Sequence, residues 1–117
     1  MKNDIRLNSK HHNTKRMEFF LNGVQEQLIE VTYDWRSLQL ADRIEDGYKF
    51  TSLHDHPVTI TALLCNSYQD GNEIARVNAF PLLPNAKWSI NGDLLYIVES
   101  TDKEKVSDIL SFFAGKE

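Results

Sequence analysis

Four of the five glycines in this chain directly follow an asparagine or an aspartate: Asn22-Gly23, Asp46-Gly47, Asp70-Gly71 and Asn91-Gly92. Asn-Gly and Asp-Gly favour tight hairpin turns, because both residues tolerate the positive φ that a type I′ turn demands. The dipeptides recur at nearly regular intervals, each the length of a hairpin and its link. A chain punctuated this way is constrained towards antiparallel strands. The constraint concerns architecture and says little about chemistry.

The C-terminal half is the most legible. A two-residue turn at Asn91-Gly92 pairs Trp88 with Leu95 and Ala86 with Ile97 on one face, leaving Lys87 with Tyr96 and Ser89 with Leu94 on the other. Leu94 to Val98 is apolar at both parities, which predicts a central strand covered on both sides. The same exercise at Asp70-Gly71 pairs Leu64 with Val77 and Ala62 with Ala79. A one-residue slip there would set Asp70 against Glu73, so like charges disfavour it. Between these hairpins, Pro81 and Pro84 cannot donate to a ladder and predict a stiff connection, with Leu82 and Leu83 tucked against the core.

A helix over about residues 102–114 is expected next. Thr101 and Glu104 have the spacing of a capping box, and Val106, Ile109, Leu110 and Phe113 follow as one apolar stripe to pack on the sheet. Gly115 then stops it. Upstream, residues 23–45 support two readings. As strands, Ile29, Val31 and Tyr33 alternate with Glu30 and Thr32, and Leu38, Leu40 and Ile44 alternate similarly. As a helix, Leu21, Val24, Leu28, Val31, Trp35 and Leu38 recur at spacings of three and four. The β-branched pair Val31-Thr32 favours strand over 26–33. The expected class is α+β: an antiparallel β-meander with hairpins at Asp70-Gly71 and Asn91-Gly92, closed by a C-terminal helix.

A length of 117 residues fits one domain. Residues 1–15 are polar and basic and read as a flexible N-terminal tail, leaving 16–117 as a single domain. The formal net charge of −4 argues against broad binding to nucleic acid or anionic membrane. No apolar run approaches the ~20 residues that span a bilayer. The N-terminus lacks the apolar region of a secretory signal, and Cys65 is the single cysteine, so the expected setting is cytoplasmic. A lone cysteine also excludes an internal disulfide and a Cys₄ or Cys₂His₂ zinc site.

Candidate chemistry is sparse. His54-Asp55-His56 is the most suggestive cluster, since two imidazoles and a carboxylate are suitable ligands for a divalent ion. In an extended segment, however, His54 and His56 share a side and Asp55 points away, so a third ligand would have to come from elsewhere. The hairpin register sets Cys65 opposite Arg76, where a cation would favour thiolate. No histidine is evident as its activating base. Trp35 and Arg36 are residue types enriched at interface hot spots. Leu63, Cys65, Arg76, Asn78 and Phe80 would form a strand face of mixed polarity, suited to a shallow binding surface or an oligomer seam. No catalytic constellation, phosphate loop or cofactor motif is present.

These features favour a non-catalytic protein-interaction or adaptor domain that self-associates, with a protein partner or a second copy as its ligand and no cofactor. The rival readings are a small-ligand binder or minor enzyme with a pocket near His54, Asp55 and His56, and divalent-metal binding through His54 and His56.

Overall fold

The computed structural model describes residues 17, 21–24, 27–52, 57–78 and 86–113. Among these residues, five strands build one antiparallel sheet: β1 (Leu28–Val31), β2 (Ile44–Ser52), β3 (Thr59–Cys65), β4 (Ala86–Asn91) and β5 (Leu94–Glu99). Their spatial order is β1-β2-β3-β5-β4. Helix α1 (Tyr68–Val77) lies between β3 and β4 in the chain, and helix α2 (Lys103–Phe113) follows β5. The α+β class and the C-terminal helix on the sheet match the expectation.

The sheet is packed on both faces. On the α2 face, Phe50, Ile60, Leu64, Leu94, Tyr96 and Val98 meet Val106, Ile109 and Phe113 of α2 and also Met17, Leu21 and Val24. On the α1 face, Leu63, Cys65, Leu95 and Ile97 meet Ile74 and Ala75 of α1 together with Trp35 and Ile44. Strands β3 and β5 therefore need apolar residues at both parities, which is why Leu94 to Val98 shows no alternation. The stacked rings of Tyr96 and Phe113, 4.2 Å between centroids, fix α2 against β5. Asn91 Nδ2 donates to the Phe113 carbonyl at 2.9 Å, satisfying one acceptor at the helix end.

The C-terminal hairpin forms with its turn one residue further on. Asn91 pairs with Leu94, and Trp88 with Ile97 instead of Leu95. Gly92, at φ 66, takes the first central position. A type II′ turn requires positive φ there, and only there. Moving the turn by one residue changes each pairing by two, so every side chain keeps its expected face.

Asp70-Gly71 is not a hairpin turn. It lies in the first half of α1, and Ser67 caps that helix by accepting from the Asp70 N–H at 3.1 Å. An aspartate in a first turn is favoured by the helix dipole as much as by a β-turn. The decisive gain is tertiary, because only a helix places Ile74 and Ala75 together against the sheet. The expected pairing of β3 with residues 77–79 is replaced by β5, which pairs Leu63 with Leu95 and Ala62 with Tyr96.

Residues 23–45 are neither one long helix nor two full hairpins. Leu21 and Asn22 are helical and Gly23 is in a turn. β1 follows, and two short 3₁₀ turns at Trp35–Ser37 and Ala41–Arg43 then cross to β2. Asp46-Gly47 lies inside β2, just after a bulge between Ile44 and Asp46. Helix α2 is capped one residue later than its sequence suggests: Asp102 Oδ1 accepts from the Glu104 and Lys105 N–H groups at 3.0 and 3.3 Å. Asp102 therefore supplies the cap expected of Thr101. Pro81, Leu82, Leu83, Pro84, Phe80 and Gly115 lie outside the described residues.

Candidate interaction surface

His54, Asp55 and His56 lie outside the described residues. Their flanks are tied together: the Ser52 N–H donates to the Val58 carbonyl at 3.0 Å, and the Val58 N–H donates to Ser52 Oγ at 2.9 Å. No group of three or more His, Cys, Asp or Glu residues that could hold a metal occurs among the described residues. Tyr48 and Cys65, on the strands that these flanks belong to or face, lie in cores on opposite faces of the sheet.

Cys65 is fully buried, and its thiol is pushed up to about 12, chiefly by burial and then by the negative charges of Asp93, Asp70 and Glu45. The environment holds the thiol protonated, the opposite of an activated nucleophile. Arg76 does not face it across a ladder. It is exposed on α1, with Nη2 3.2 Å from Glu73 Oε2. The expected mixed-polarity strand face is thereby replaced: Leu63 and Cys65 are core, while Arg76 and Asn78 belong to the helix and its end.

Trp35 is buried over Gly47, with the exposed Arg36 guanidinium 4.6 Å from its ring centroid. A Cβ at position 47 would stand 2.6 Å from Trp35 Cγ, so the glycine makes room for the indole. Gln39 and Asn78 latch this segment to α1. The Gln39 N–H donates to Asn78 Oδ1 at 3.0 Å, and Asn78 Nδ2 donates to the Gln39 carbonyl at 3.1 Å.

The structure brings together a set of residues that sequence reasoning did not single out. On the α1 face, Val31 of β1 lies opposite Lys49, Lys49 opposite Thr61, and Thr61 opposite Ile97. α1 and Trp35 cover the end of this face that holds Leu63 and Cys65. At the β1 side, Ile29 and Val31 remain 43% and 37% exposed. Tyr33 is half-buried just beyond β1, with Lys49 Nζ 5.2 Å from its ring centroid. Burial, and secondarily the charge of Glu99, raise the Tyr33 hydroxyl above its ordinary value and keep it neutral. An apolar ring with a neutral hydroxyl tip suits a partly desolvated contact. The alternation Ile29-Val31-Tyr33 was visible in the sequence. Its position at a sheet margin was not.

Among the described residues, β1 is the last strand of the sheet on its side, and β4 is the last on the other. β4 carries the exposed Lys87, a common means of discouraging further pairing. β1 contains no lysine, proline or bulge. Among the described residues, a shallow groove where β4 and α2 begin is lined by Ala86, Lys87, Lys103 and Val106, with both lysines exposed. No helix among the described residues is long and apolar enough to cross a membrane. Comparison with protein families, curated proteins and solved structures finds no match to this chain.

Proposed function

We propose that this chain is a non-catalytic protein-interaction domain that accepts an extended segment of a partner along the outer edge of β1. The observation that carries this reading is the pair Ile29 and Val31, exposed on the terminal described strand of a sheet in which β3 and β5 are buried except at Thr59 and Glu99. In strand addition, main-chain hydrogen bonds supply affinity and alternate side chains supply selectivity. β1 and the two residues after it offer both, with Ile29, Val31 and Tyr33 as the alternate side chains.

Amide hydrogen exchange tests the reading, using a soluble peptide of alternating valine and threonine flanked by lysines as a generic strand. The expected result is slowed exchange over residues 29–33 on adding the peptide, with β3 and β5 unchanged. Unaltered exchange at 29–33 under saturating peptide would overturn it.

A further inference from the structure

We infer that the partner admitted by this edge is a second copy of the same chain, paired antiparallel through residues 29–33 about a twofold axis at Val31. The inference rests on the strand-addition reading above and narrows it to one occupant.

The argument is one of register. Two copies joined edge to edge by a twofold axis perpendicular to the sheet keep each face continuous only when residues of equal parity oppose one another. Within the strand, such an axis can pass at Leu28, Ile29, Glu30 or Val31, and the first would set the buried Leu28 against its own copy. An axis at Glu30 sets that carboxylate directly against its own copy, and like charges so placed repel. An axis at Ile29 sets Glu30 against Leu28, which is only 5% exposed and belongs to the α2-face core. An axis at Val31 avoids each of these. It opposes Val31 to Val31, Ile29 to Tyr33 and Glu30 to Thr32: an aliphatic pair, a favourable β-branched–aromatic pair and a carboxylate–hydroxyl pair, with no like charges opposed.

The segment needed for this pairing is available. β2 pairs with β1 only as far as Val31 opposite Lys49, and the apolar–polar alternation continues two residues beyond. Glu30 and Thr32 are exposed, and Tyr33 is half-buried. The joined sheets would gather Ile29, Val31 and Tyr33 of both copies into one strip, with a Lys49 on each side of the seam. Five residues of ladder make a small interface, which belongs to the weak, transient class. Cross-linking that traps the pair is therefore the appropriate test.

Val31→Cys and Ile29→Cys are compared under mild oxidation. Directly opposed Cβ atoms lie ~5 Å apart, within easy reach of a disulfide. Ile29 and its copy would be separated by ~14 Å, from four residues at ~3.4 Å each. The buried Cys65 does not compete. Val31→Cys is expected to give cross-linked dimer at least ~10-fold faster than Ile29→Cys, a ratio set by the register. In the unaltered chain, amide protection over 29–33 should rise with protein concentration. Equal cross-linking at the two positions, or none at Val31→Cys together with concentration-independent exchange, would overturn the inference. If the valine–threonine peptide still protects 29–33 in that case, the strand-accepting edge stands and only the second copy is wrong. If it does not, both readings fall.

Discussion

Gly47→Ala should destabilise this protein although Gly71→Ala should stabilise it, and the contrast isolates one packing contact. An alanine Cβ at position 47 would sit 2.6, 2.7 and 2.8 Å from Cγ, Cδ1 and Cβ of Trp35. Carbon atoms prefer about 3.5–4.0 Å, so the indole or the strand must give by roughly 1 Å. Neither moves easily: Trp35 is only 9% exposed, and β2 is held between β1 and β3. Overpacking of this kind costs about 1–3 kcal/mol, from which the ~0.5–1 kcal/mol penalty of glycine in a strand is recovered. The net expectation is a loss of roughly 1–2 kcal/mol, or a fall in Tm of the order of 4–10 °C for a domain of this size. At Gly71 the added Cβ meets Cys65 Sγ and Ile90 Cδ1 at 3.5 Å, which is ordinary contact. Gly71→Ala therefore gains the helix preference of alanine, about 0.5–1 kcal/mol. Urea denaturation of both variants, and of Gly47→Ala combined with Trp35→Leu, provides the assay. The double variant should lose most of the Gly47→Ala penalty relative to Trp35→Leu alone, because the opposing ring is gone. A stabilising Gly47→Ala, or a penalty unchanged without the indole, would refute the reasoning.

Three further outcomes are expected. Asn78→Ala removes the latch to Gln39 and a bond to the Ile74 carbonyl, and should cost about 1–2 kcal/mol with faster exchange at the Gln39 amide. Ser67→Ala removes the N-cap of α1 and should cost ~1 kcal/mol by urea denaturation. The raised Cys65 thiol keeps its proton in the folded state while the unfolded thiol ionises near its ordinary value of 9.0. Its contribution is complete below pH 9 and is lost as pH rises towards about 12, so the unaltered chain should lose stability more steeply across that window than Cys65→Ala. At neutral pH, thiol labelling of the unaltered chain should track unfolding; rapid labelling of the native state would contradict the burial.

Three of the four Asx-Gly dipeptides show how far local chemistry reached. At Asn91-Gly92 the turn exists, displaced by one residue, because Gly92 takes the single position where positive φ is required. At Asp70-Gly71 the same chemistry begins a helix, and Ser67 three residues before Asp70 was the signal that could have shown it. At Asp46-Gly47 the glycine answers to Trp35, twelve positions earlier, and no turn forms. The candidate site divides in the same way. Alternation in Ile29-Glu30-Val31-Thr32-Tyr33 is a local pattern. The exposure of that pattern at a margin depends on β2 pairing with it on one side only.

From sequence alone, therefore, the chain determined what each segment could do within a few residues: alternate, turn, or present an apolar stripe. The faces of the C-terminal hairpin and the α2 stripe of Val106, Ile109 and Phe113 follow from strand and helix periods and needed no partner to be read. Only the tertiary structure decided which strand lies beside β3, which glycine sits beneath an indole and which strand is left at the margin. The physical reason is that backbone preferences act over a few residues and amount to a few tenths of a kcal/mol to ~1 kcal/mol each. The burial of whole faces sums over distant segments and overrides them.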